Sequence, residues 1–377
     1  MMISKLDCWV FRAPIAVPVA SAFGQMTSRP AVFLRVSASD GAWGWGEVFC
    51  NFPQVGAEHR ARLVDDMFAP LVQGQPSDDP PALRTQLERQ TRLVAIQCGE
   101  PGPFAQITSA IDQALWDIAA RRAGLPLWKL LAQGNPEGLA GSNRVRLYAS
   151  GLGPAGVAEM ALQKKAQGYT AFKFKVGFAP EKDLANFSDI RQALGPDAQV
   201  MVDANQAWSP EQAAQRIAQL APFRPLWVEE PIAADEPVSA WRKLASDCGL
   251  PLAAGENLRG LPAFEAALGS GHLRFVQPDV AKWGGISACR QVARLAAASG
   301  AVFCPHWLAG GVGLAASLHL RAAMGPAGYA EVDANPNPLR QEVFEPAPSG
   351  GWVTLADTPG HGVEPDLVRL GRYLVRH

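Results

Sequence analysis

Between Lys173 and Glu331 the chain sets down, at intervals of about 26 residues, side chains able to move a proton or hold a cation, each at the end of a short apolar run. The series is Lys173 and Lys175, Asp203, Glu229, Glu256, Asp279, His306 and Glu331. Asp203, Glu229 and Glu256 stand in Val202-Asp-Ala-Asn, Val228-Glu-Glu-Pro and Gly255-Glu-Asn. Three carboxylates converging in one cavity repel one another unless a cation is bound. An all-oxygen set without Cys or His suits Mg²⁺, with Mn²⁺ as a substitute, and leaves positions for water or substrate oxygens. Any one of these acids alone is as well explained by a helix cap or an arginine partner. Three on successive units are not.

Lys173 and Lys175 alternate with Phe172, Phe174 and Val176, so a strand would carry both ammonium groups on one face. Two adjacent cations, one of them desolvated, are expected to depress a lysine toward neutrality and make it a usable base. A Schiff-base role fits less well beside a metal triad. Asp279 and His306 lie in Gln277-Pro-Asp and Cys304-Pro-His, and an Asp beside a His fixes the imidazole tautomer and raises its basicity. Glu331 could hydrogen-bond a substrate oxygen from across the cavity, with Asp333 a rival on the same strand face. Lys282 reads as a charge-balancing partner of the acids, and Asn205, on the face of Asp203, as a substrate contact. Glu230, Asn257 and Arg259 merely neighbour the triad.

The elements that must position these groups alternate from about residue 144. Strands are expected at 145–150, 171–176, 199–203, 226–229, 252–255, 274–277, 301–304 and 328–332. Helices are expected between them at 155–167, 181–194, 209–220, 236–247, 261–269, 286–299 and 311–324. Eight strands in regular alternation predict an α/β chain built on a (β/α)8 barrel, whose parallel strands end on one rim. No Gly-x-Gly-x-x-Gly follows a strand, which removes the usual dinucleotide-binding reading. Residues 1–135 read as a separate α+β domain, with strands at Ala31–Ser37 and Trp43–Phe49 flanking a hairpin signal at Asp40-Gly41. Helices follow near 57–73, 81–96 and 105–122. The last carries Ile107, Ile111, Leu115 and Ile118 at helical spacing, as a buried packing helix does. The barrel spans 140–345, and the Gly- and Pro-rich tail 346–377 is expected to pack back on the first domain.

Apolar residues make up 48% and charged residues 18% of the 377, an ordinary globular balance. A formal net charge of −1 gives no support for nucleic-acid or membrane-surface binding. Six scattered cysteines without a C-x-x-C pair argue against a zinc or disulfide framework and for a reducing compartment. With no secretory signal and no apolar run of about 20 residues, a cytoplasmic protein is expected.

The Lys-x-Lys strand, the Asp/Glu/Glu triad, the Asp279–His306 pair and the final Glu331, in this order and spacing, resemble the mandelate racemase subgroup of the enolase superfamily. Ala110-Ile-Asp-x-Ala-Leu-x-Asp-Ile-x-Ala-x₅-Pro126-Leu-x-x-Leu-Leu is similar to that family's packing-helix signature, departing only at Ala132, where glycine is usual. The resemblance covers nearly the whole chain. It implies a capping domain closing over a modified barrel, and Mg²⁺ on Asp203, Glu229 and Glu256. Lys175 would be one base, tuned by Lys173, and His306, oriented by Asp279, would act on the opposite face. Glu331 would donate to the enolate formed on abstraction of the proton α to a carboxylate. Dehydration of an acid sugar to a 2-keto-3-deoxy acid is the leading expectation, and two-base racemisation or epimerisation the alternative. Cycloisomerases, which place a lysine opposite the Lys-x-Lys strand, are expected to lie further off, as is a non-catalytic carboxylate sensor. Specificity is expected from a loop at 22–29, with Phe23 and Arg29, and from Cys50–Pro53, with Asn51. Trp208, Trp283 and Trp307 would narrow the cavity. Relatives commonly assemble, so a homo-oligomer is expected.

Overall fold

A computed structural model describes residues 1–21, 24–53, 55–135 and 139–376. The chain opens with an antiparallel sheet: β1 (Ile3–Ser21), β2 (Gly24–Ala38) and β3 (Trp43–Val48), in that order across the sheet. β1 was not read from the sequence, because Pro14 and Pro18 break its apolar run. The ladder shifts register there, between Pro14 and Val19, which is how a strand tolerates proline. Most of the segment expected as a loop at 22–29 belongs to β2, with Met26 opposite Val19 and Gln25 opposite Ala20. Phe23 and its neighbour Ala22 lie outside the described residues.

This sheet is buried on both faces, and period two divides it between two cores. Val10, Val32, Leu34 and Val48 pack with Ile107, Ile111 and Leu115 of the helix Pro101–Arg122. Phe11, Ala31, Phe33 and Trp45 instead pack with Val312 and Leu339 of the following domain. The helix lies directly on β3: a Cβ at Gly44 or Gly46 would stand 2.1 or 2.0 Å from the carbonyl oxygens of Ala114 and Ala110. Only glycine allows that approach, which explains Trp43-Gly-Trp-Gly-Glu47 and turns Trp45 and Glu47 toward the barrel. The helix begins at Pro101, four residues before the expected start, since proline is acceptable at the first helical position. The expected helix at 57–73 contains a π turn at Val64–Phe68 between α-helical flanks.

The expected alternation is present. β4 (Arg144–Leu152), β5 (Ala171–Lys175), β6 (Gln199–Asp203), β7 (Val228–Glu229), β8 (Leu252–Ala254), β9 (Phe275–Val276) and β10 (Val302–Phe303) pair in sequence, all parallel, and β11 (Ala330–Asp333) returns to β4. At the seam between β10 and β11 the Tyr329 N–H donates to Cys304 Sγ at 3.3 Å. Helices of 9–15 residues follow the strands, each within a few residues of its expected span. Inside the barrel, Tyr148, Met201, Trp227, Phe275 and Tyr329 form a buried, mostly aromatic layer, with Trp227 and Phe275 centroids 4.8 Å apart. Beyond the barrel, β12 (Trp352–Thr354) pairs antiparallel with β4, and β13 (Leu374–Arg376) pairs with β1. All six cysteines are free. Among the described residues no helix is long and apolar enough to cross a membrane.

Candidate active site

Strand register brings the charged series to one level above the aromatic layer. Lys175 lies opposite Asp203, and Asp203 opposite Glu229. On β5, period two turns Lys173 and Lys175 inward. Lys173 is 1% exposed, sits 5.3 Å over the Tyr148 ring, and ion-pairs with Glu229, with Glu331 at 2.9 Å and with Asp203 at 3.7 Å. Lys175 meets Asp203 at 2.5 Å and keeps partial access to solvent. Glu229 also accepts from Trp227 Nε1 at 3.0 Å and Gln277 Nε2 at 2.6 Å.

On the far side, His306 is held at both ring nitrogens, Nδ1 to Asp279 at 2.6 Å and Nε2 to Glu256 at 2.6 Å. The second oxygen of the Asp279 carboxylate accepts from the Ala281 and Lys282 N–H groups, which fixes its plane. Glu331 accepts from the Ser150 hydroxyl and, at 3.1 Å, from the Trp307 N–H. Lys282 reaches Glu256 at 3.0 Å and Asn257 at 3.1 Å, and lies 4.9 Å over the Phe49 ring. Asn205, held in the left-handed region at φ 45°, folds back on Asp203 through its N–H at 2.8 Å and its amide at 3.2 Å.

Burial pulls Lys175 down, but the Asp203 carboxylate outweighs it, and Lys175 ends above the ordinary lysine range. Lys173 rises further, since burial is overcome by Glu229 and Glu331. The expected depression is therefore absent: Lys173 does act to lower Lys175, but the Asp203 carboxylate acts on it more strongly. His306, despite burial, is raised well above its usual value by Glu256, Glu331 and Asp279.

The acids outnumber the cations. Asp203, Glu229, Glu230, Glu256, Asp279 and Glu331 are all buried here, against Lys173, Lys175, Lys282 and His306. Burial and like charge push Glu229 up to about 7, and push Glu230 well above the carboxylate range. Among the described residues no preformed cage of three metal ligands is present. Each triad carboxylate is drawn instead to a cation of the protein. The donor chemistry nevertheless fits a hard divalent ion: oxygen ligands from three consecutive strands with negative charge in excess.

Several expected substrate contacts are committed elsewhere. Arg29 is 1% exposed, pairs with Asp333 at 2.5 Å and donates to the Pro336 carbonyl at 3.1 Å, so it joins β2 to β11. Asp333, the rival of Glu331, is thereby occupied. Asn51 donates to the Leu308 carbonyl. Trp307, 1% exposed, donates to the Gly310 carbonyl at 3.0 Å and packs its ring on Gly313. Sequence reasoning passed over Ser150, Trp227, Gln277 and the buried Glu47, Asp112 and Gln113. Asp112 and Gln113 stand off the Ile107, Ile111 and Leu115 face and turn toward the barrel, where their partners lie far along the chain.

Fold and site together define a barrel enzyme with acids, lysines and a histidine gathered at one rim. Residues 6–132 match the mandelate racemase/muconate lactonizing enzyme N-terminal domain, and residues 156–369 the enolase C-terminal domain-like family. The chain belongs to the mandelate racemase/muconate lactonizing enzyme family of the enolase superfamily. A solved structure described as mandelate racemase/muconate lactonizing enzyme from Bordetella bronchiseptica RB50 is 45% identical, with TM-score 0.91 and 99% of each chain covered. A racemase from Streptomyces coelicolor A3(2), solved with bound magnesium, is 30% identical with TM-score 0.86, covering 99% of this chain and 100% of that one. D-galactarolactone cycloisomerase of Agrobacterium fabrum is 31% identical over 97% of this chain and 96% of that protein. D-galactonate dehydratase of Verminephrobacter eiseniae is 32% identical over 77% of this chain and 74% of that protein. The expectation that cycloisomerases lie further off is not met, since one matches over nearly the whole chain.

Proposed function

We propose that this enzyme abstracts the proton α to the carboxylate of an acid sugar and eliminates the 3-hydroxyl as water, giving a 2-keto-3-deoxy acid. The observation that carries the reading is the pair of proton-transfer groups of unlike character flanking one carboxylate cluster: Lys175 on β5, and His306 anchored by Asp279. Asp203, Glu229 and Glu256 would hold Mg²⁺, or Mn²⁺ in its place. When bound, the ion polarises the substrate carboxylate and offsets the charge that develops on it.

With its carboxylate partner engaged elsewhere, Lys175 loses the contact that now raises it and becomes a better base, with Lys173 alongside opposing its protonation. The C2–H bond breaks toward the Lys175 amine, and the electron pair enters the enediolate. Lys173, 2.9 Å from Glu331, is the cation that would offset that charge. The C3–O bond then breaks as His306 Nε2–H delivers its proton to the departing oxygen, releasing water. The enol left behind tautomerises to the 2-keto acid.

A second reading has a specific observation in its favour: the full-length cycloisomerase relative. The same elimination opens a ring when the oxygen on C3 is a ring oxygen, so the two readings share every protein group and differ in the substrate alone. Proton NMR of the Mg²⁺-loaded enzyme in D₂O, against acid sugars, their lactones and anhydro forms, separates them. The expected result is loss of the C2 proton with a 2-keto-3-deoxy product. Deuterium in recovered acid of opposite configuration would establish racemisation in its place. Lys175→Ala should abolish α-proton exchange, and His306→Asn should abolish product formation, roughly 10²–10⁴-fold each. Exchange and turnover unchanged in both variants would falsify the assignment of roles.

A further inference from the structure

The loop that carries His306 is held by side chains from every direction. Trp307 N–H donates to Glu331 and Trp307 Nε1 to the Gly310 carbonyl; the Leu308 carbonyl accepts from Asn51, and the Ala309 carbonyl from Asn337 at 2.9 Å. The loop then ends on a carboxylate of the first domain. Glu47, fully buried on β3, accepts from Gly310 N–H at 2.5 Å and from Gly313 N–H at 2.9 Å, capping the helix Gly311–Ala323 that follows His306. A Cβ at Gly310 would stand 2.7 Å from that carboxylate, so glycine makes room for it.

The arrangement is repeated one unit earlier. Asp112, from the helix lying on β3, accepts from Ser287 N–H at 2.9 Å and Ser287 Oγ at 2.5 Å, at the start of the helix Gly285–Ser299 that follows Asp279. Gln113 joins the two. Its amide receives the Glu47 N–H at 3.2 Å and donates to the Glu47 carbonyl at 3.3 Å and to the carbonyl of Val280, the residue after Asp279, at 2.9 Å. The first domain thus grips the barrel at two helix starts, and these are the two whose preceding loops carry the His306–Asp279 pair. Among the described residues, no such capping contact reaches the helices after β5, β6 or β7, where Lys175, Asp203 and Glu229 sit.

From this we infer that Glu47 and Asp112 are positioning residues for the His306–Asp279 pair. The capping domain would set where the proton donor stands, while Lys175 is set by the barrel alone. The inference rests on the elimination proposed above. If His306 drifts from the C3 oxygen while Lys175 is unmoved, the enediolate still forms but returns to substrate, taking a solvent-derived deuteron from the Lys175 amine.

The test compares wild type with Glu47→Gln, which keeps the shape but leaves an amide NH₂ against a helix N–H, and with Asp112→Asn on the Asp279 side. In D₂O with Mg²⁺, product formation should fall by roughly tenfold to a hundredfold, the range expected for misplacement of about 1 Å, while exchange of the α-proton stays within about twofold. Were racemisation the reaction, exchange should fall for the enantiomer deprotonated by His306 alone. A second readout needs no substrate: the His306 imidazole ¹H and ¹⁵N resonances should shift in both variants. Product formation and exchange falling in parallel in a folded variant would overturn the inference, as would neither changing, or unmoved His306 resonances. Absence of any 2-keto-3-deoxy product from the wild-type enzyme on acid sugars would instead defeat the proposed elimination, with the imidazole resonances still deciding the positioning role.

Discussion

Arg29 illustrates how far a side chain's type can mislead. Beside Gln25 and Ser28 it reads as a polar contact for a ligand, yet it lies under β11 against Asp333, both almost wholly buried. Arg340 donates to the backbone carbonyl of Asp333 at 2.7 Å, so the pair sits in a fully committed polar cluster. Asp333→Ala would leave a guanidinium in the interior without its counter-charge. It is expected to cost about 3–5 kcal/mol, whereas Arg29→Met combined with Asp333→Leu should recover most of the loss. Urea unfolding of the three proteins checks this, and a single variant within about 1 kcal/mol of wild type would contradict the burial argument. The gathering of these acids and bases could be read from the sequence because barrel geometry links period to position: an acid or base at the end of each apolar run has only one rim on which to stand. What could not be read was partnership. Whether Arg29 faces a cavity or Asp333 depends on a contact across some 300 residues, and local pattern carries no trace of it.

At the scale of elements, the two helix starts capped by Glu47 and Asp112 carry a pH signature. Burial raises Glu47 to about 8 and Asp112 to about 7, both above the values they take in an unfolded chain. The folded state therefore binds protons that the unfolded state has released between roughly pH 4 and 8. The stability they contribute is fully present below about pH 4 and is lost as pH rises through 7 and 8. Relative to wild type, Glu47→Gln and Asp112→Asn should grow more favourable between pH 5 and pH 8.5, measured as the difference in denaturation midpoints. A difference independent of pH would show that these carboxylates are ionised throughout. The barrel elements were legible almost to their ends, since each strand is a short apolar run and each helix an amphipathic one. β1 was not, because prolines inside it mimic the end of a strand. The polar residues of the Pro101–Arg122 helix were equally opaque: a buried Asp is predicted by what it caps, and the capped helix begins about 175 residues later.

Over the whole molecule, the site is a concentration of buried acid held in check by the protein's own lysines and one histidine. Binding of a divalent cation should release that strain and stabilise the fold, by about 2.7 kcal/mol when Mg²⁺ is at 100 times its dissociation constant. Thermal unfolding with and without Mg²⁺ measures it, and Asp203→Ala should lose the effect. An Mg²⁺ shift surviving in that variant would place the ion elsewhere. The two-domain organisation was visible as a change of texture near residue 144. The grip between the domains was not, because it runs through Glu47, Asn51, Asp112 and Gln113, each unremarkable in its own segment.

The pairing of β13 with β1, Val10 opposite Arg376 and Phe11 opposite Leu374, fixes an order of events during synthesis. β1 leaves the ribosome before any barrel strand, and its partner β13 emerges only after every barrel strand has been made. The edge of the first sheet thus stays open throughout translation of the barrel, and close-packed Phe11 waits for Leu370 and Tyr373 to reach it. The first sheet is completed after the barrel, on a barrel already there to receive it.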